Sequence, residues 1–370
     1  MNSSCESLIP IHSSFRIYLV VVFGSALSVI SILENMTIFY VLVSRAQYRR
    51  SHFLYFIFLA FWDISLSLCY IPTLSVDLVK DISRDLTLTR LWWSSFEYLL
   101  VFGHVAINAQ TYLILASTLE RFLAEKRTLQ SRRWSKQLRQ HRLVICVLVL
   151  LLGAAPKLPM SLEVELFQMD NCTGVAEFWP ALTTFAEGWW YGTVFRFYFR
   201  NVASVFVPFV LLFLLNMGII RNVRNNAQRA NRFRLDSVRE INAKLRSTTQ
   251  TTVLMAFIYL LSNGLNLTVT AWEHIDIEGL RAQPNLYTLL ADLVSILKIA
   301  SCCSRLPIYL TFNEDFRSAV ASVITFIPIK VATGAQVSYK SIRAHSRRTM
   351  VRCAPDTVRP SARRFDEISL

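Results

Sequence analysis

Seven blocks of apolar residues, at 17–44, 54–79, 96–123, 142–160, 200–223, 250–272 and 284–312, dominate the chain. Each is near or above the roughly 20 residues that a helix needs to cross a bilayer. Hydrocarbon tolerates a spanning backbone only when that backbone satisfies its own hydrogen bonds, as a helix does. The expected fold class is therefore an all-α membrane protein, a seven-transmembrane helix bundle. Of 370 residues, 53% are hydrophobic and only 17% charged, well below the charge of an ordinary soluble domain. The spans leave room for an N-terminal segment (1–16), one seven-helix body including a short amphipathic helix after the seventh span (17–327), and a tail (328–370) expected to be disordered.

Charge sets the expected orientation. The connection 45–52 carries Arg45, Arg49 and Arg50; 124–142 and 221–246 carry seven and eight further basic residues. The alternate connections lean acidic, with Glu163, Glu165, Asp170, Glu177 and Glu187 before the fifth span and Glu273, Asp276 and Glu278 after the sixth. Basic loops stay in the cytosol, which places the N terminus outside. The net charge of +14 resides in these loops and in the tail, so it marks membrane topology rather than a nucleic-acid partner. The first residues, MNSSCESLIPIHSS, lack the pattern of a cleavable signal peptide, and the first span serves as the insertion signal.

Four Asn-x-Ser/Thr acceptors occur. Asn35 and Asn266 lie inside spans, which leaves Asn2 and Asn171 as candidate glycosylation sites. Of seven cysteines, only Cys5 and Cys172 face an oxidising compartment, and a bridge between them is one possibility.

An ionisable side chain in hydrocarbon is costly unless it faces the bundle interior, so each is a functional candidate. Glu34, Asp63, Glu120, Arg121, Lys298 and Arg305 are such residues, and Asn35, Asn108, Gln110, Asn216, Asn263 and Asn266 add amides. No metal-ligand spacing, phosphate-binding glycine loop or nucleophile–base pair is present, so neither an enzyme nor a metal or cofactor is expected.

The stretches LAFWD (Leu59 to Asp63) and TLERF (Thr118 to Phe122) resemble the second- and third-helix motifs of rhodopsin-like (class A) G-protein-coupled receptors. Asn35, Pro208 and Phe316-Arg317 fit the family's first-helix asparagine, fifth-helix proline and post-seventh helix. The resemblance implies an extracellular ligand, a heterotrimeric G protein, an arrestin-like partner and a plasma-membrane location. It also implies an activation switch built from Glu120, Arg121, Phe122, Tyr309, Asn216 and Asn263, in which Arg121 leaves Glu120 to meet Tyr309 and the G protein.

The departures are informative. Ser262-Asn263-Gly264-Leu265 stands where the family has Cys-Trp-x-Pro, Arg305-Leu306-Pro307-Ile308-Tyr309 where it has Asn-Pro-x-x-Tyr, and Phe96 where its third-helix cysteine belongs. No acid stands at the base of the sixth helix near Lys244 to Arg246, which suggests a weaker restraint on Arg121. In the family, the positions of Asp63 and Arg305 line a small polar pocket that often holds sodium. The expectation is that the Arg305 guanidinium replaces the ion and forms, with Asn35 and Asp63, a buried polar core; the alternative is that Arg305 snorkels to the cytosolic interface.

For the ligand, Gly103 at the amine-binding position argues against a biogenic amine, and Lys298 lies one residue off the position of a retinal Schiff base. Candidate ligand contacts are Glu97, His104, Asn108, Asn263, Asn266, Asp292 and Lys298, with Glu97 or a ligand group as the anion for Lys298. The acidic loops and nearby tryptophans suit a short cationic, aromatic, amidated peptide, and the fifth- and sixth-span patterns resemble divergent nematode FMRFamide-type neuropeptide receptors. A non-signalling receptor homologue and a membrane transporter are the alternative readings.

Overall fold

The computed structural model describes residues 13–126, 128–168, 177–233 and 237–326. Cys5, Cys172, Asn2, Asn171 and the tail lie outside these residues. Seven helices are long and apolar enough to cross a bilayer: Ser14–Ser44, Leu54–Ser83, Leu86–Glu125, Arg142–Leu162, Trp189–Asn226, Thr249–Ile275 and Pro284–Phe312. They are called the first to seventh spans below.

The second, third and fifth spans run beyond their apolar blocks. The third begins at Leu86, where Asp85 caps it by accepting from the amides of Thr87 (2.8 Å) and Leu88. The second ends at Arg84, whose left-handed φ of 54° closes the helix. The fifth begins at Trp189 as wide π-type turns, which recur over Val202–Phe206, just before Pro208. A similar widening over Ile71–Ser75 surrounds Pro72. Proline frees carbonyls on the preceding turn, and in a membrane those need new donors. The Tyr112 hydroxyl donates to Ala203 O (3.1 Å), five residues before Pro208; beside Pro72 the Thr73 hydroxyl donates to Cys69 O (2.6 Å) and the Trp92 indole to Pro72 O (2.8 Å), which tie the widened turn to its neighbours.

Between the fourth and fifth spans, where the sequence shows only an acidic connection, lies an antiparallel hairpin. Strand Val164–Gln168 pairs with Phe178–Leu182, Val164 opposite Leu182 and Gln168 opposite Phe178. On the other side, an amphipathic helix (Leu129–Gln140) joins the third and fourth spans, with Thr128 as its cap.

The third span is the hub, packing against the second, fourth, fifth and sixth. The core beside its lower half is aromatic: the Tyr309 ring lies 5.7 Å from Phe56, 6.3 Å from Phe53 and 5.1 Å from Phe316. Phe316 belongs to the helix Glu314–Phe326 after the seventh span, and the side chain of Asn313 caps that helix through the Phe316 amide (3.0 Å). Large apolar side chains such as Phe23, Leu33, Leu148, Leu151 and Leu152 point outward, as a lipid-facing surface requires. Lipid tails are as apolar as leucine, so packing and polar ties between spans hold the bundle together. The Ser67 hydroxyl, for example, donates to Ser31 Oγ at 2.7 Å.

Candidate functional site

Three polar sites line the bundle interior. The first joins the first, second, third and seventh spans. The seventh span breaks at Ser304, and Arg305 opens its second segment, where Pro307 falls in the first turn and costs no hydrogen bond of that segment. This break sends the Arg305 side chain inward, and its Nη1 lies 2.6 Å from Asp63 Oδ2. At 5% and 0% exposure the two side chains are both buried, which excludes snorkelling of Arg305 to the interface. Around them, Cys302 Sγ approaches Asp63 Oδ1 at 3.5 Å, Asn35 donates to Ser31 O (2.9 Å) and Cys302 O (3.3 Å), and Gln110 donates to Trp62 O (3.2 Å). The guanidinium lies directly on the carboxylate that a sodium ion would need.

The second site lies at the C-terminal end of the third span, and here one expectation is corrected. Glu120 does not hold Arg121. Its two oxygens accept from Arg142 Nη2 (2.6 Å) and Nε (3.0 Å), a bidentate pair reaching in from the fourth span. The same arginine donates to Arg50 O at 3.0 Å. His52 sits 3.6 Å from Glu120 and 3.3 Å from the Thr252 hydroxyl. Burial and the neighbouring Arg121 charge lower the His52 pKa to about 3, so its imidazole is neutral and the contact with Glu120 is not an ion pair. Arg121 is buried and its Nε has no hydrogen-bond partner among the described residues.

Tyr309, the expected alternative partner of Arg121, is enclosed in the aromatic core. The Phe122 ring covers Gly218 so closely that a Cβ there would fall 2.6 Å from the ring. Asn216 is buried with its Oδ1 unpartnered among the described residues, and Asn263 donates to Tyr259 O at 2.9 Å. An acid does join the third and sixth spans, but from the other side: Glu125 accepts from the Thr249 hydroxyl at 2.9 Å.

The third site is a pair of cavities at the opposite end. The deeper, about 140 Å³, is walled by His104, Asn108 and Thr111 of the third span, Lys157 of the fourth, Asn201 of the fifth, Asn263 and Asn266 of the sixth and Lys298 of the seventh. The Thr111 and Tyr259 hydroxyls share a 2.7 Å hydrogen bond on its floor. The outer cavity, about 530 Å³, is lined by Arg196, Arg200, Glu273 and Tyr287 among others, and Asn201 belongs to both.

Five of the seven candidate ligand residues thus meet: His104, Asn108, Asn263, Asn266 and Lys298. Asn108 also ties helices, donating to Gly153 O (3.0 Å) and Ser204 Oγ (3.1 Å). Glu97 and Asp292 line neither cavity. Asp292 instead binds Arg16 of the first span at 2.7 Å, so neither carboxylate neutralises Lys298.

Part of the acidic and aromatic surface behind the expected cationic ligand is engaged within the protein. Glu163, the acid next to the deep cavity, is already held by Arg200, by the Tyr191 hydroxyl (2.7 Å) and by Arg196 (3.7 Å). Glu177 meets Arg90 at 3.5 Å, and Trp92 is buried under the Lys80 ammonium, 4.4 Å from its ring centre. That ammonium is itself held by Asp77 (3.0 Å) and Asp81 (2.7 Å). Glu163, Glu177 and Trp92 are thus engaged by the protein's own cations, whereas Glu273, which lines the outer cavity, accepts from the Tyr287 hydroxyl at 2.8 Å.

Lys157, Arg200, Asn201, Arg142 and His52 were missed. Lys157 lies inside an apolar block, so the rule that singled out Lys298 applies to it equally. Arg142 and His52 sit at block edges, where a basic residue reads as topology.

Seven spanning helices, with a polar cavity at one end of the central helix and a buried glutamate–arginine cluster at its other end, define a transmembrane receptor. The chain matches the family described as seven-transmembrane receptor (rhodopsin family) over residues 34–304, and it belongs to that family. No curated protein matches it. Rhodopsin-family members are multi-pass membrane proteins that signal from an extracellular ligand to heterotrimeric G proteins, and they are not enzymes.

Proposed function

We propose that the protein is a plasma-membrane receptor, N terminus outside, for a short extracellular peptide. The carrying observation is the third span itself: one uninterrupted helix, Leu86–Glu125, bears cavity residues His104, Asn108 and Thr111 at one level and Arg121 at the other. A ligand that pulls on that wall moves the partner-facing arginine as part of the same rigid rod. The outer cavity is large enough for a few peptide residues, and the deep one takes only the leading group.

A second reading, a receptor homologue that binds without signalling, is favoured by the sixth span. Thr249–Ile275 carries no proline and runs as α-helix throughout, so it lacks the pre-formed kink on which outward swinging would hinge. The test is a cell-based calcium assay with a promiscuous G protein, in which short peptides are screened as free acids and as amides. A response abolished by Arg121→Ala supports a signalling peptide receptor. Binding of a peptide to surface receptor with no response in either form supports the second reading.

A further inference from the structure

We infer that the deep cavity is built for an anionic oxygen group, a carboxylate or phosphate, clasped between Lys157 and Lys298. The inference rests on the receptor reading above and names the chemistry of its ligand.

Charge accounting carries it. Lys157 enters from the end of the fourth span, with 9% of its surface exposed, and Lys298 enters from the seventh. Neither ammonium has an ion-pair or hydrogen-bond partner among the described residues. No carboxylate lines the deep cavity, and the nearest acid, Glu163, is shared by Arg200, Arg196 and Tyr191. Two ammonium groups facing one small space in a membrane protein repel each other and lack solvation, an arrangement that an entering anion relieves. Asn201 and Asn266, also on the wall, make no side-chain hydrogen bond to a described residue, so their amide N–H groups are available to anionic oxygens.

The size of the space narrows the ligand. Pockets that enclose a drug-sized molecule run to roughly 300–1,000 Å³, whereas this one is about 140 Å³ and shares the wall residue Asn201 with the 530 Å³ outer cavity. An anionic terminus therefore fits inside while the rest of the ligand lies above it. For a peptide, that terminus is a free C-terminal carboxylate or an acidic side chain. An amidated end brings no charge to meet the two lysines.

The test uses full-length receptor in nanodiscs, with melting followed at constant ionic strength. The probes are the dipeptide Ala-Phe as free acid and as amide, succinate, inorganic phosphate and putrescine. The expected result is a saturable rise in melting temperature with Ala-Phe acid and little with its amide, the apparent affinity falling at least tenfold in Lys157→Gln and in Lys298→Gln. Both variants are expected to melt no lower than wild type without probe, because each loses an unpaired charge. Stabilisation by succinate or phosphate but not by the dipeptide acid keeps the anion site and removes the peptide from the ligand. Equal stabilisation by acid and amide, preference for putrescine, a shift retained in the double variant, or no shift with any anion overturns the inference. If either variant fails to fold, the acid–amide contrast in wild type decides. Arg121-dependent signalling is read separately, so the receptor reading stands or falls on its own.

Discussion

Replacing Asp63 by Asn strands the Arg305 guanidinium at a site where the pair is 2.6 Å apart and both side chains are buried. Breaking a buried pair from one side costs about 3–5 kcal/mol, because the surviving charge keeps its desolvation penalty and loses its counterion. At about 1.4 kcal/mol per decade that is roughly 100- to 5,000-fold in the folded-to-unfolded ratio, and on the order of 5–10 °C in melting temperature. The two single variants are not equivalent. Arg305→Leu leaves a carboxyl that keeps its Cys302 contact and has the option of taking up a proton, whereas a guanidinium stays charged, so Asp63→Asn is the more damaging. The double variant removes both charges and is expected to recover most of the loss, with a coupling energy of about 2–3 kcal/mol in the cycle. Purified receptor is melted in nanodiscs in sodium chloride and in choline chloride. Arg305→Asn, which frees the carboxylate, is expected to gain a sodium-dependent rise in melting temperature that wild type lacks. A double variant that melts at or below the weaker single, or wild type stabilised by sodium over choline, refutes the view that the guanidinium holds the ion's place.

Other outcomes follow from the same geometry. His52 has a folded pKa of about 3, below its unfolded value near 6.5, so the unfolded chain takes up a proton that the native state refuses. Stability therefore falls by up to about 1.4 kcal/mol per pH unit as pH drops below 6.5, and the loss levels off near pH 3; His52→Gln should flatten the acid side of a pH–melting curve, and an unchanged slope counts against a neutral buried imidazole. Gly218→Ala pushes a methyl into the Phe122 ring; it should lower the melting temperature, by about 1–3 kcal/mol in free-energy terms, and Phe122→Ala should relieve the defect. Trp92→Phe removes the indole donor from Pro72 O while keeping a ring under Lys80; hydrogen exchange at Thr73 to Val76 should quicken, and protection equal to wild type argues against that tie holding the widened turn.

The helices were legible because hydrocarbon imposes one solution on a long apolar run, and Asp63 and Arg305 were legible because a charge inside such a run demands a reason. Position along the chain says nothing about which acid a given cation reaches. Glu120 lies beside Arg121 in sequence, yet on a helix adjacent side chains point about 100° apart, which turned Glu120 toward Arg142, 22 residues on. Asp292 had the chemistry of a ligand contact but faces the first span, where Arg16 takes it. In the acidic loops the formal charge was visible, but the pairing of Glu177 with Arg90 and of Glu163 with Arg196 and Arg200 was a property of the fold. Lys157 shows a different failure: it lies inside the 142–160 block and meets the same rule that singled out Lys298.

The proposed receptor reading makes the Glu120 end of the third span a switch that Arg142 holds shut through its pair with Glu120 and that Arg121 reads out. Its most direct test is nucleotide exchange on a panel of purified heterotrimeric G proteins by Arg142→Gln receptor in nanodiscs, without ligand. Freeing Glu120 should raise exchange on at least one heterotrimer several-fold over wild type, and adding Arg121→Ala should return it to background. Folded Arg142→Gln receptor that accelerates no heterotrimer, or acceleration that survives Arg121→Ala, contradicts the claim.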